Sequence, residues 1–426
     1  MIYVLFNWLV VNYFYFNNKK LKTHFGRFFK VEMQIFVGAS ASSVSSPCAS
    51  QTTTTKDMDD DKVEWSDLPK ELLLTIGKSL DTRIDILRFR SVCNSWRSSV
   101  PPFHSSSPRF PLKFPDPFPS SRSKKATVFL CQTTLYRLQR QNPSTSDKAL
   151  LIKVEESSSG NLRLLDPLST LTNRYEFNSH HGLPKNLNFL NFRILELTKS
   201  YTLKCRKYSK YSYVSIRGVN KVVMFPNSAW TNVNDSAVFV IYNDGKLGFG
   251  KCGDKNLTLV DDQRFDYDDV IVYKGQFYVV DKLGLVSWID DSSMKLVPFS
   301  PPLCGLGDQK HLVESCGALY VVDRYLQRKR RGRNGPKVVG FKVYKLDEEW
   351  GRWDLKESLG DRAFILGRDC SLSVSGRDFL GYRGNCICFT EENQTHVFNL
   401  EDRSITDLAC CKDSNPSPMF NLGMQV

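Results

Sequence analysis

Lys274–Asp281 reads KGQFYVVD, and 42 residues further on Cys316–Asp323 reads CGALYVVD, with Tyr-Val-Val-Asp identical. A third, weaker copy is Arg383–Phe389, RGNCICF. Self-similarity at such a period constrains a fold strongly, because one unit cannot bury its apolar face alone and must stack on its neighbours. In each copy a glycine stands beside an apolar run, which predicts a tight turn opening a strand, with Tyr or Phe packing against the next unit. From Ala126 onward no long helical period appears. Short β-rich runs alternate with turn residues instead: Thr127–Cys131, Leu150–Val154, Tyr213–Ile216, Val238–Tyr242, Val270–Tyr273, Val338–Tyr344 and Cys386–Phe389, with turns such as Asn243-Asp244-Gly245 and Ser159-Gly160-Asn161. A period near 42 with several strands per unit predicts a β-propeller, and residues 124–405 would then hold about six or seven blades.

Upstream the period changes. Trp65–Val100 places Leu68, Leu72, Leu73, Ile76 and Leu80 at the three-and-four spacing of one helical face. Pro69 suits the first helical position. Thr82 with Asp85 three residues later is a capping pattern for a second helix, which carries Ile84 and Leu87 and leads on to Val92 and Trp96. Two or three short helices cannot hide that much apolar surface among themselves, so the surplus must meet the rest of the chain or a partner. Leu68-Pro69 with Glu71 and Leu72, then Ile76, Leu80, Leu87, and Val92-Cys93 with Trp96 resembles an F-box, in order and at the right spacing. Gly77 departs from a good helix interior, at a cost of roughly 1 kcal/mol against Ala. The resemblance implies docking on a Skp-type adaptor through Leu68, Pro69, Leu72, Leu73, Ile76, Leu80, Leu87, Val92, Cys93 and Trp96, and through that adaptor a link to a cullin and a RING protein.

Leu164–Tyr175 (LLDPLSTLTNRY), Tyr273–Asp281 and Phe341–Gly367 (FKVYKLDEEWGRWDLKESLGDRAFILG) resemble the KIB-type β-propeller of plant F-box proteins. The two resemblances together are those of the Skp-interacting F-box group. They imply a substrate receptor of an SCF-type ubiquitin ligase, in which the F-box holds the ligase and the propeller selects an unknown protein target. The expected fold class is therefore α+β and multidomain: F-box at 65–100, Pro-rich linker or strap at 101–123, propeller at 124–405 and a tail at 406–426. Phe103, Phe110, Phe114 and Phe118 lie among the prolines of Pro101–Arg122 and favour the strap.

Residues 1–57 differ from the rest. Ile2–Phe16 is apolar but shorter than the ~20 residues needed to span a bilayer, and no cationic region precedes it as in a secretory signal. Met58 is a natural start, so 1–57 reads as a spurious extension; a targeting or disordered tail and a membrane anchor are the other readings. The 12 cysteines include no CxxC pair. Cys386 and Cys388 are spaced as on one strand face, with His396 nearby, and the pattern suits buried reduced thiols better than zinc.

No GxSxG, HExxH or P-loop pattern occurs, so neither catalysis nor a cofactor is expected. Glu155-Glu156, Asp261-Asp262, Asp268-Asp269 and Asp290-Asp291 are adjacent pairs, which on a strand point to opposite faces and suit turns and blade edges. Gly245–Gly250 reads as a hairpin, and His180-His181 as part of a polar loop. Lys and Arg number 58 against 45 acids, a net charge of +13 spread along the chain. One local cluster, Arg328, Lys329, Arg330, Arg331 and Arg333 within RKRRGRNGPK, reads as an inter-strand loop, a nuclear-import signal or a contact for an acidic partner. The expected location is the nucleus, the cytoplasm or both. Two other functions fit less: a propeller lectin or enzyme with a vestigial helical segment, and a nucleic-acid-binding protein using the basic loop. Neither a membrane nor nucleic acid is the expected partner.

Overall fold

The computed structural model describes residues 68–101, 110–118, 127–140, 148–156, 162–165, 167–168, 192–206, 213–243, 245–262, 266–290, 292–303, 305–327, 336–391 and 394–407. They form two compact units. One contains the helices together with Ser228–Trp230, and the other contains all the strands.

In the helical unit, α1 spans Lys70–Lys78, α2 Arg83–Ser91 and α3 Asn94–Ser99. Pro69 is the N-cap of α1 and not its first residue; its carbonyl accepts from the Leu72 and Leu73 amides at 3.1 Å each. Thr82 caps α2 as its sequence predicts. Its Oγ1 accepts from the Asp85 amide at 3.1 Å and donates to Asp85 Oδ2 at 2.6 Å, while Arg88 pairs with the same carboxylate at 2.9 Å. Leu73, Leu80, Ile86, Phe89, Trp96 and Val100 form the unit's core, and the Phe89 and Trp96 rings stand 4.6 Å apart. Trp230 Nε1 donates to the Leu80 carbonyl at 2.9 Å, and the Ala229 amide to the Asp81 carbonyl at 2.8 Å. Gly77 is explained by this packing: a Cβ there would meet Val100 Cγ2 at 2.1 Å.

The strands make five sheets. Sheet 1 holds β1 (Leu112–Phe114), β2 (Val128–Arg140), β3 (Leu150–Glu156), β4 (Leu162–Leu165), β5 (Phe192–Arg206) and β6 (Tyr213–Ser215). Sheet 2 is the meander β7 (Val219–Phe225), β8 (Ala237–Tyr242), β9 (Lys246–Gly250) and β10 (Thr258–Leu259). Sheet 3 is β11 (Tyr267–Tyr273), β12 (Gln276–Asp281), β13 (Val286–Ile289) and β14 (Leu296–Pro298). Sheet 4 is β15 (Gln309–Ser315), β16 (Ala318–Gln327), β17 (Lys337–Asp347) and β18 (Arg352–Lys356). Sheet 5 contains β19 (Arg362–Leu366), β20 (Ser371–Ser375), β21 (Cys386–Glu391), β22 (Gln394–Asn399) and β23 (Ile405–Asp407), with β19 and β21 parallel.

Five apolar cores are each shared by consecutive sheets, and a smaller one, of Leu138, Leu150 and Phe192, lies within sheet 1. Leu203 meets Val238 and Val240 between sheets 1 and 2, and Phe239 meets Phe277 between sheets 2 and 3. Val280 meets Leu312 and Val321 between sheets 3 and 4, and Val343 meets Phe364 between sheets 4 and 5. The fifth core joins last to first: Leu135 and Leu151 pack with Ala363, Ile365 and Val374. The ring therefore closes with five blades, which corrects the expected six or seven. The expectation spread one period over the whole region, but sheet 1 departs from it: β2 and β5 run 13 and 15 residues.

Two of the three copies behave as their residues require, whereas in the third Gly384 is not in the left-handed region and β21 pairs in parallel with β19. Lys274-Gly275 have φ of 49° and 79°, and Cys316-Gly317 have 51° and 76°, the left-handed pair of a two-residue hairpin turn. Tyr278 packs towards sheet 4 and Tyr320 towards sheet 5. Gly245–Gly250 lies in the β8–β9 hairpin, as read. The described part of the Pro-rich segment, 110–118, packs on the propeller: β1 pairs with β2, the Phe110 ring stands 6.0 Å from Tyr201, and Phe118 meets Tyr242 edge-on at 5.6 Å, while Phe103 lies outside the described residues.

Where the ring closes, a buried polar column replaces hydrocarbon. Lys153 Nζ donates to both oxygens of Asp369, at 2.7 and 2.6 Å, with both side chains sealed from solvent. Ser200 Oγ donates to Asp369 Oδ2 at 2.9 Å and shares a 2.6 Å hydrogen bond with Thr133. Removing one member of a buried pair strands the other charge. Lys153→Met is thus expected to cost about 3–5 kcal/mol, and the double variant Lys153→Met/Asp369→Leu to recover most of that loss. Urea unfolding of the full chain measures both.

Candidate functional site

The helical unit divides the ten residues named from the sequence. Leu73, Leu80 and Trp96 are buried in the unit's own core, and Leu68, Ile76, Val92 and Cys93 pack partly buried against it. Pro69 is exposed, and Leu72 and Leu87 keep 52% and 50% of their surface in solvent. The sequence pattern grouped all ten because helical spacing alone does not separate a core face from a docking face. Ile86 and Phe89, which anchor the core, escaped the motif; both are fully buried, and both sit on α2 among charged neighbours. The ends of α2 and α3 are tied together by arginines. Arg90 donates to the carbonyls of Arg97, at 3.0 Å, and of Val100, and Arg97 Nε donates to the Arg90 carbonyl at 3.1 Å. The unit thus presents two leucines and a proline on a framework fixed by caps and side-chain clamps.

The propeller unit keeps ionised groups in its interior. Lys221 on β7 pairs with Asp269 on β11 at 3.0 Å, and Asp269 Oδ2 accepts from the Leu312 amide of β15 at 2.9 Å. One carboxylate therefore ties three sheets. Lys310 pairs with Asp323 at 2.9 Å, directly opposite in register, and Lys204 pairs with Glu155. Asp268 and Asp269 thus do not sit at a turn or blade edge, as their sequence suggested, but in the strand nearest three neighbours. Asp268 Oδ2 accepts from the Lys310 amide at 2.8 Å. Burial raises its carboxyl to about 7, against the pull of that amide and of Lys282 and Lys310. The repeated aspartates brace loops: Asp281 Oδ1 accepts from the Leu283 and Leu285 amides at 2.9 Å each, and Asp323 Oδ2 from the Gly307 amide at 3.0 Å.

The described thiols differ: burial raises three, while the hydrogen bond with Cys388 lowers that of Cys386. Burial pushes the Cys131 thiol up to about 12, and the Cys252 and Cys370 thiols up to about 11. Cys386 and Cys388 are buried, and His396 pairs with Asp407 at 2.7 Å. Among the described residues no group of three His, Cys, Asp or Glu is disposed to hold a metal, and no helix is long and apolar enough to cross a membrane. Arg328, Lys329, Arg330, Arg331 and Arg333, with His180, His181, Trp65 and residues 1–57, lie outside the described residues.

A short helical module followed by a five-bladed propeller defines a substrate-adaptor class of protein. Comparison with known families agrees: an F-box-like model matches residues 65–101 and the KIB1-4 beta-propeller model residues 118–399. F-box protein At4g35733 of Arabidopsis thaliana is 32% identical over 359 residues, covering 81% of this chain and 94% of the relative. F-box protein SKIP23 of Arabidopsis thaliana is 32% identical over 367 residues, covering 80% and 86%. F-box protein At2g26160, also from Arabidopsis thaliana, is 30% identical over 359 residues, covering 80% and 99%. The chain belongs to the plant F-box proteins that carry a KIB1-4 β-propeller.

Two outcomes follow from this geometry. Leu73→Ala is expected to cost about 2–5 kcal/mol in the helical unit, and Leu72→Ala to stay within about 0.5 kcal/mol; hydrogen exchange of the α1–α3 amides in the full chain separates them. For Asp268 the native state holds a proton that the unfolded chain, with its ordinary carboxylate near 3.8, releases. Its contribution to stability is therefore full at pH 3.8 and below, and is lost as pH rises to about 7. Asp268→Asn keeps the acceptor for the Lys310 amide, so the variant should melt higher than wild type at pH 8, with the difference closing near pH 4. Melting curves across that range check it.

Proposed function

We propose that this protein is the substrate-recruiting subunit of an SCF-type cullin–RING ubiquitin ligase. The helical unit holds a Skp-type adaptor, which brings the cullin and the RING protein, and the propeller selects the protein target. The observation that carries this reading is the exposure of Leu72 and Leu87 on a unit whose own core is already filled. Such anchors on a fixed framework concentrate binding energy in a few residues. The protein acts by scaffolding, with ubiquitin transfer performed by other subunits. It works in the nucleus, the cytoplasm or both, with the six cations of Arg328–Lys337 serving as an import signal.

Expression of the tagged full chain in plant cells tests this. Leu72→Ala with Leu87→Ala, and separately Leu68→Ala with Pro69→Ala, should reduce co-purified adaptor and cullin by about tenfold or more, with propeller melting unchanged. Undiminished capture by both double variants overturns the reading. Replacing Arg328, Lys329, Arg330 and Arg331 by Ala should move the protein towards the cytoplasm without affecting capture; an unchanged distribution removes the import role.

A further inference from the structure

We propose that the propeller carries a small-oxyanion site at its closure seam, taking a phosphate or carboxylate group through Arg368 and Thr202. A small cleft of about 50 Å³, partly open to solvent, lies between β5, the start of β7 and the β19–β20 connection. Three different sheets build it: Tyr201–Leu203 from sheet 1, Val219–Val222 from sheet 2, and Arg368 with Asp369 from sheet 5. Pockets at the junction of several elements are where small ligands bind, and a few convergent polar groups set what they take.

The polar groups here are unevenly satisfied. Strand alternation puts Thr202 on the side of Ser200, which bonds Asp369, and away from Tyr201 and Leu203 in the core between sheets 1 and 2. Its Oγ1 is buried and has no hydrogen-bond partner among the described residues. A buried hydroxyl left unpaired is unfavourable, so such an atom points to a missing acceptor or donor. Asp369 does not supply it, since its two oxygens are taken by Lys153 and Ser200.

The charge is uneven too. Lys153 is neutralised by Asp369 and Lys221 by Asp269, at 2.6 and 3.0 Å. Arg368 is exposed at the pocket, and no described acid pairs with it. The site is thus one positive charge in excess, and that charge is a planar guanidinium suited to two-point contact with an oxyanion. Thr202 donates a third hydrogen bond. Because the wall belongs to the seam between the first and last blades, an occupant bridges sheets 1 and 5 and stabilises the closed ring by linkage. This inference is independent of adaptor binding.

Thermal unfolding of the full chain tests it, with potassium phosphate and potassium malonate titrated separately against potassium chloride at matched ionic strength. A saturable rise in Tm of about 2 °C or more beyond the chloride control is expected with at least one anion. Phosphate alone assigns a phosphate ligand, malonate alone a carboxylate. Arg368→Gln, at an exposed position, should leave the anion-free Tm unchanged and shift the midpoint of the titration by about tenfold or more. Thr202→Val should shift it severalfold. Either no saturable rise with both anions or an unshifted titration in Arg368→Gln overturns the proposal.

Discussion

A propeller must close, and closure is the one contact that chain continuity does not provide. Sheets 1 to 4 each pass directly to the next sheet, so their shared cores form between neighbours in sequence. The seam between sheet 5 and sheet 1 joins segments more than 200 residues apart: Lys153 reaches Asp369, and Ala149 bridges to Phe379. Both apolar packing and a buried ion pair meet there. The apolar part favours contact without fixing geometry, because the hydrophobic effect is non-directional. The ion pair fixes it, since Lys153, Ser200 and Thr133 must all arrive in register for the Asp369 carboxylate to be satisfied.

What the sequence revealed and what it hid divide along range. The hairpin turns at Lys274-Gly275 and Cys316-Gly317 were legible because a left-handed pair is specified by the two residues that adopt it. The Thr82–Asp85 cap was legible for the same reason. Blade number was not, because sheet 1 is organised by the pairing of β2 with β5, as at Thr133 with Ser200, and no repeat marks it. In the helical unit, which leucines are exposed and which are buried was hidden too. Ser228–Trp230 joins that unit from far along the chain, and nothing near Leu80 or Asp81 announces Trp230 and Ala229 as their hydrogen-bond partners.

The same contrast separates the two sites. The exposed leucines Leu72 and Leu87 stand on short helices, where each truncated leucine removes surface area and little else. The seam pocket is polar and stands on strands whose spacing is set by the ring.

The buried charges also bear on how neighbouring blades are set against one another. Between sheets 2, 3 and 4 the ties are single carboxylates: Asp269 reaches Lys221 on one side and the Leu312 amide on the other, and Asp268 reaches the Lys310 amide. All of these contacts are 3.0 Å or shorter, and each spans one inter-sheet gap. A change in the angle between neighbouring sheets would stretch those contacts. An apolar core can adjust to such a change by rotamer shifts. A buried carboxylate separated from its lysine and amide partners cannot, since the charge then remains in a low-dielectric interior without compensation. The interior lysines and aspartates therefore act less as a source of stability than as a constraint on how sheets 2, 3 and 4 are set against one another.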